Sequence, residues 1–324
     1  MDVLGIQGSP RKKGNCDHLL TTFLGECERA GAKTQVIRPQ DLDIRPCKEL
    51  SVCEKKGICP IRDQMEAMGY AKVRQADVVV LASPVFFYGI SAQAKVFIDR
   101  CQMFWGRRYK LRLKDPARFS RQGFLLSVGA SAGKRLFDGV NLTAHYFFDA
   151  ISAQDAGALT YKGIEAAGDI LARPRLEREI REAVSGLLGP LKSCEKILFV
   201  SRNGAVRAVM AAAFAMEISG GKIRAKAAGM EGPAEADPGM IKTMADAGLD
   251  VKYMAVHRIK DIAGVWPGRT IFIGSAAGFE RAAPFLPEET MFWEIAGPEA
   301  WESKALSALK GKIEARVTAL LGRS

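Results

Sequence analysis

No apolar run in these 324 residues reaches the roughly 20 that a membrane-spanning helix requires, so no membrane partner is expected. The chain also lacks low-complexity segments and short-period repeats. Acids are outnumbered: 36 Asp and Glu stand against 47 Lys and Arg, a formal net charge of +11. Much of the excess falls in Arg107, Arg108, Lys110, Arg112, Lys114, Arg118 and Arg121. No nucleic-acid motif accompanies them, so a solvated basic loop is expected there rather than a nucleic-acid site. A phosphate-bearing cofactor is a further option for these charges. Cysteines number seven, an odd count. A strand pattern begins at Val3 and leaves no room for a signal peptide. Both features predict a reduced, cytoplasmic setting without a disulfide framework.

What is present is organised around residues 1–20. Val3-Leu4-Gly5-Ile6 reads as a buried strand. Gly8-Ser9-Pro10-Arg11-Lys12-Lys13-Gly14-Asn15 follows, and then a helix with Leu19, Leu20, Phe23 and Leu24 turned inward. A strand, a glycine-bearing loop and a helix start form an anion-binding arrangement, because the first helical N–H groups point at whatever lies in the loop. The loop is neither a Walker loop nor G-x-G-x-x-G. The plain alternative is an ordinary capped turn.

Length predicts two domains. Strands are expected at 34–37, 76–82, ending at Ser83-Pro84, 123–128 and 158–162. Helices are expected at 65–74, 92–101, 141–151 and 177–188, the last stopped by Gly189-Pro190. This alternation predicts a doubly wound parallel α/β sheet of order 2-1-3-4-5 over residues 1–190. The loops at Gly8, Ser83 and Gly129 would then meet at the carboxyl edge of the sheet. The pattern restarts at Glu195. Strands at 196–200, 222–227 and 270–273, with helices at 208–216, 238–247 and 299–321, predict a second, smaller α/β domain over 195–324.

Three stretches carry a family resemblance. The Gly8 to Asn15 loop resembles the FMN phosphate loop of the NADPH-dependent FMN reductases and iron–sulfur flavoproteins. Ser83-Pro84-Val85-Phe86-Phe87-Tyr88-Gly89 through Asp99-Arg100 is similar to their second signature. Ser127 to Gly133 is similar to their third loop. The resemblance implies a flavodoxin-like fold, FMN, and electrons supplied by NAD(P)H. The cofactor-binding residues it implies are Ser9, Arg11, Gly14, Asn15 and Cys16 at the phosphate, and Pro84, Val85, Phe86, Phe87, Gly89, Gly129 and Ser131 along the ring. The family commonly has Thr at the place of Cys16. Taken alone, Phe86 and Phe87 would read as plain core. The resemblance further implies a homodimer or tetramer and an electron acceptor that is a small molecule or a protein.

Iron–sulfur members carry four cysteines in one loop. Here the spacing gives Cys47, Leu50, Cys53 and Cys59, one thiolate short of a [4Fe–4S] cluster. A three-cysteine cluster with an outside ligand, another metal and a vestigial loop all remain open.

Ser201-Arg202-Asn203-Gly204-Ala205-Val206-Arg207 resembles the Cys-x5-Arg loop of low-molecular-weight tyrosine phosphatases and related arsenate reductases. Ser201 takes the nucleophile's place, and a hydroxyl without a base partner attacks far more weakly than a thiolate. Gly297-Pro298 stands where the phosphatases have the acid of an Asp-Pro pair. The expectation is a phosphatase-like domain without turnover, with Ser201, Asn203, Gly204 and Arg207 able to hold an anion. Two other readings of the whole chain stand beside the flavin oxidoreductase: an electron carrier using FMN and a cluster, and an anion-sensing binding protein.

Overall fold

The computed structural model describes residues 1–230, 235–262, 264–266, 268–297 and 302–322. The chain divides into two compact units. One comprises Met1–Arg112 and Ser120–Lys192, the other Leu113–Phe119 and Ser193–Ser324. The second unit takes up the chain again at Ser193, and it also includes a short segment from the middle of the first half.

Unit 1 is built on a sheet of β1 (Asp2–Gln7), β2 (Lys33–Ile37), β3 (Val78–Phe86), β5 (Gln122–Gly129) and β6 (Gln154–Lys162). The strands are parallel and lie in the order β2-β1-β3-β5-β6, with a two-residue strand β4 (Gly89–Ile90) added to β3 as a hairpin. Without the hairpin this is the expected 2-1-3-4-5 order. Its switch point lies between β1 and β3, and crevices for ligands open at such points. The core is made by the runs that read as buried strands. Val78, Val79, Val80 and Leu81 are fully buried. Helix α1 (Asn15–Arg29) packs Leu19, Leu20, Phe23 and Leu24 on the face that carries Val78 and Val80.

Two expected stops are overrun. β3 continues through Pro84 to Phe86, because pairing with β1 ends at Ala82 and a strand paired on one side tolerates proline. The helix starting at Leu176 runs to Ser193 with Pro190 inside it. Pro190 lacks the N–H that would reach Gly186, but Gly186 and Gly189 face open space and burial of Leu187, Leu188 and Leu191 carries the helix past it.

The basic stretch is solvated only in part: Lys110, Arg112 and Lys114 are exposed, but the rest are not. Arg107 and Arg121 are buried. Arg121 donates to the carbonyls of Arg74, Ala76 and Ile151 at 2.7, 3.1 and 3.1 Å, at the carboxyl ends of two helices. Helix ends present unpaired carbonyls, which suit a buried cation. Arg108 pairs with Asp149 at 3.0 Å.

Unit 2 is a second parallel sheet, in the order β11-β10-β7-β8-β9: β7 (Glu195–Ser201), β8 (Ile223–Gly229), β9 (Val256–Arg258), β10 (Arg269–Gly274) and β11 (Met291–Glu294). The short edge strands β9 and β11 were not legible as strands. The helix Arg207–Ile218 is buried on every face from Ala208 to Met216, between the sheet and the amphipathic helix Ser303–Leu321. The segment 113–119 is laced into this unit. Lys114 N donates to Gly248 O and Asp250 N donates to Lys114 O, each at 2.8 Å. Arg118 forks onto the Glu217 carboxylate.

Candidate functional site

Four chain segments of unit 1 line one cavity of about 260 Å³: Ser9–Arg11 with Gly14–Cys16, Pro84–Phe86, Val128–Ala130, and Ile164, Glu165 and Ala167. It sits at the strand ends flanking the β1–β3 switch point. The first loop is shaped by residues that gave no signal in the sequence. Gln7, fully buried, accepts from Ser9 N at 2.9 Å and donates to Asp17 at 3.2 Å. Asp17 also accepts from Lys13 N at 2.9 Å and pairs with Arg38 at 2.7 Å. Burial alone would raise the Asp17 pKa, but the hydrogen bonds from Arg38, Lys13 and Gln7 hold it below the ordinary value. With its carboxamide oriented to donate, Gln40 reaches the Ser9 and Pro10 carbonyls at 3.1 and 3.2 Å. Gly8 is dictated by packing, since a Cβ there would lie 2.6 Å from that of Ala94.

Helix α1 has Gly14 as its N-cap and no capping side chain. Its first-turn N–H groups are therefore left for a ligand in the cavity. The Ser9 hydroxyl accepts from Arg11 N at 3.2 Å and keeps its own proton to donate. Arg11 is exposed at the rim. Cys16 lines the cavity floor, but burial pushes its thiol up to about 12 despite the nearby Val128 amide, with Asp17 adding to the rise. It is a small neutral wall residue.

Serines tie the second loop to the first and the third to the second. Ser91 caps the helix Ala92–Arg100 by accepting from Ala94 N at 3.3 Å, and its hydroxyl donates to Gly8 O. Ser127 donates to Ser83 O at 2.8 Å. Between β3 and β4, Phe87 and Tyr88 form the two central residues of a tight hairpin turn, with φ of 49° and 61°. Such angles favour Asn and Gly, so two aromatics there are strained. Phe86, Phe87 and Tyr88 are 48, 105 and 52 % exposed, which excludes the plain-core reading.

Of the expected cofactor residues, Ser9, Arg11, Gly14, Asn15, Cys16, Pro84, Val85, Phe86 and Gly129 line the cavity. Phe87, Gly89 and Ser131 do not. Phe87 and Gly89 belong to the hairpin that projects beyond it, and Ser131 lies past the end of β5. Asn15 is at the wall, but its side chain is committed elsewhere. It donates to Ala166 O at 2.8 Å and accepts from Gly168 N and Ile170 N at 3.0 and 3.3 Å. Residues 164–167 were not expected at the site at all.

Cys47, Cys53 and Cys59 face a separate cavity of about 370 Å³, with Leu50 on its lining. Among the described residues, no three His, Cys, Asp or Glu side chains stand in metal-holding geometry. With an apolar side chain at the fourth position, this loop does not fit a four-thiolate cluster. It is braced instead by the buried Arg100, which donates to Asp63, to the carbonyls of Arg45 and Ile61, and to the Cys59 sulfur at 3.4 Å.

In unit 2, β7 ends at Ser201, whose hydroxyl is buried and has no hydrogen-bond partner among the described residues. Gly204 has a φ of 75°, and a Cβ there would lie 2.5 Å from Val256. Asn203 folds its side chain back to accept from Ala205 N at 3.3 Å. Arg207 opens the helix but donates one guanidinium N–H to Ile295 O at 2.9 Å. Burial, and secondarily Arg202, lower its pKa. Asp237 caps the helix Pro238–Asp246 by accepting from Met240 N at 2.8 Å. Pro298 and the expected helix start at Glu299 lie outside the described residues.

Residues 1–154 match the profile of the NADPH-dependent FMN reductase family. An iron–sulfur flavoprotein of Methanocaldococcus jannaschii is 36 % identical over 131 residues, covering 40 % of this chain and 63 % of the relative. One from Methanosarcina thermophila is 34 % identical over 131 residues, covering 40 % of this chain and 64 % of the relative. The chain thus spans somewhat under two thirds of the length of these relatives. An arsenate reductase in a phosphate-binding state matches 40 % of this chain and 98 % of its own, at 22 % identity and a TM-score of 0.34.

Proposed function

We propose that unit 1 binds FMN in the switch-point cavity and passes electrons from NAD(P)H to a small-molecule or protein acceptor. The observation that carries this reading is the uncapped start of α1, opening onto a cavity shared by three strand-end loops within the family-matched stretch. The α1 amides, the Ser9 hydroxyl and Arg11 supply the donors a phosphate requires. Backbone groups of Pro84–Phe86 and Gly129 lie where a planar ring would be edged. When bound, FMN accepts hydride at N5, so the chain need only position and enclose it. Exposure of Phe86, Phe87 and Tyr88 supports a homo-oligomer in which these rings are covered. All seven cysteines are free, in keeping with a reducing, cytoplasmic setting. No described helix is long and apolar enough to cross a membrane. The test is equilibrium titration of the flavin-free protein with FMN, followed by NADH and NADPH oxidation assays. A chain that takes up no FMN contradicts the reading.

For unit 2 we propose retention of a small tetrahedral anion without turnover. The observation favouring this is the orphaned, buried Ser201 hydroxyl at the mouth of a loop that ends in the helix start at Arg207. The loop surroundings that ionise a cysteine do not ionise a serine, so no nucleophile forms there. Inorganic phosphate should bind the intact protein at millimolar concentration, and Ser201→Ala should weaken that binding. Aryl phosphate hydrolysis that disappears in Ser201→Ala would refute the inactive reading.

A further inference from the structure

We infer that Asn15 is a positioning residue, which holds residues 164–170 in place as the third wall of the flavin cavity instead of contacting the phosphate. The carboxamide of Asn15 is divided among three backbone groups of that loop: the Ala166 carbonyl and the amides of Gly168 and Ile170. Both acceptor sites of its oxygen are thereby used. The two amides begin the short 3-10 turn Asp169–Ala172, which has no capping side chain of its own. Asn15 supplies that cap from across the cavity, 153 and 155 residues away in sequence.

The loop is shaped for this. Ile164 N donates to Gly129 O at 3.1 Å, fixing one end on β5. Asp169 takes the amides of Glu165 and Ala166 at 2.9 and 2.7 Å. Gly168 turns with a φ of 94°, a conformation that favours glycine. The groups bound to Asn15 belong to residues 166, 168 and 170, while Ile164, Glu165 and Ala167 line the cavity. One set is anchored so that the other is presented. This wall lies beyond residue 154, where the family match ends. The cavity is therefore completed by a segment that the family signatures do not describe.

The clamp stands on its own geometry. Its role at the cavity rests on the flavin reading, and the experiment separates the two. Hydrogen exchange is measured on the flavin-free intact protein, and FMN affinity is measured by titration, for wild type, Asn15→Ala, Asn15→Asp and Asp169→Ala. Asn15→Ala should speed exchange of the Gly168 and Ile170 amides by about tenfold or more while leaving the β3 amides unchanged. Asn15→Asp keeps both acceptor bonds and should retain most of that protection. FMN affinity should fall about tenfold in Asn15→Ala. Asp169→Ala removes the oxygen that accepts from Glu165 N and Ala166 N, loosens the same loop from its other side and should also weaken FMN. Loss of a negative charge alone would act in the opposite direction, so the sign is diagnostic.

Unchanged exchange in Asn15→Ala overturns the clamp. Faster exchange with unchanged FMN affinity removes the loop from the site. Loss of affinity in Asn15→Ala alone, with Asp169→Ala binding FMN as tightly as wild type, assigns Asn15 to direct contact. A wild-type protein that binds no FMN defeats the flavin reading, while the exchange comparison still decides the clamp.

Discussion

The residues of the Gly8–Asn15 loop divide into those that face the cavity and those that hold the loop. Arg11 is in the first class: exposed, at the rim, with its guanidinium directed to no carboxylate among the described contacts. A charged hydrogen bond to phosphate contributes roughly 1.5 to 3 kcal/mol, so Arg11→Ala should weaken FMN about 10- to 100-fold. Riboflavin, which lacks the phosphate, should bind the variant as it binds wild type. Equal losses for both flavins would place Arg11 away from the phosphate. Asp17 and Asp63 are in the second class. Each would be raised by burial, but hydrogen bonds dominate, from Arg38 to Asp17 and from Arg100 to Asp63, and hold both below the ordinary aspartate value. A depressed carboxyl stabilises the fold fully above its unfolded value of about 3.9, and that contribution fades as pH falls through the folded value. The contribution of these two aspartates should therefore be lost below about pH 4. Asp63→Asn should flatten that acid limb. It should also cost about 3 to 5 kcal/mol at neutral pH, because it leaves the fully buried Arg100 charged without its carboxylate. Urea melts at several pH values check both statements.

Among the elements, those set by periodicity were readable and those set by long-range partners were not. The apolar runs at 3–6, 76–82 and 123–128 read as buried strands, and the inward face of α1 followed from its spacing. The end of β3 was misjudged because Pro84 stops a strand only where a neighbour needs its N–H. Gly189-Pro190 was misjudged because Leu191 is buried and pays for continuing the helix. The phosphate loop was legible as glycines before a helix. Its supports Gln7 and Gln40, and the 164–167 wall, were not, because ordinary residues acquire those roles only when distant strands converge. The hairpin tip yields a prediction at this scale. Phe87 holds a positive φ with its side chain fully exposed, so it loses little packing on replacement. Phe87→Asn should stabilise the chain by about 0.5 to 1 kcal/mol, since Asn tolerates the left-handed region. If the ring contributes to assembly, the same variant should shift the oligomer toward monomer by light scattering. A melt that falls instead would show that the turn is not strained.

At the level of the whole molecule, sequence suggested two domains joined at a single point near residue 190. The segment 113–119 makes the arrangement more entangled, because unit 2 draws a strap from the first half of the chain. Its bonds to Gly248, Asp250 and Glu217 are absent from a fragment beginning at residue 195. That fragment should melt at lower denaturant than unit 2 does in the intact protein. Glu217→Ala in the full chain should reproduce a smaller part of the loss. Equal stability of fragment and intact unit would show that the strap contributes nothing. The net positive charge, read as a loop at the sequence level, is distributed among such structural duties. Arg118 belongs to the strap, Arg121 to helix ends, and Arg107 donates to the Gly57 carbonyl at 2.8 Å.

The central claim is that the switch-point cavity of unit 1 holds FMN. The most direct measurement is calorimetric titration of the flavin-free intact protein with FMN, with the bound stoichiometry taken from the same isotherm. Saturable, equimolar binding is expected, weakened in Arg11→Ala and accompanied by quenching of flavin fluorescence. Absence of saturable binding, or binding that Arg11→Ala and Asn15→Ala both leave unchanged, would contradict it.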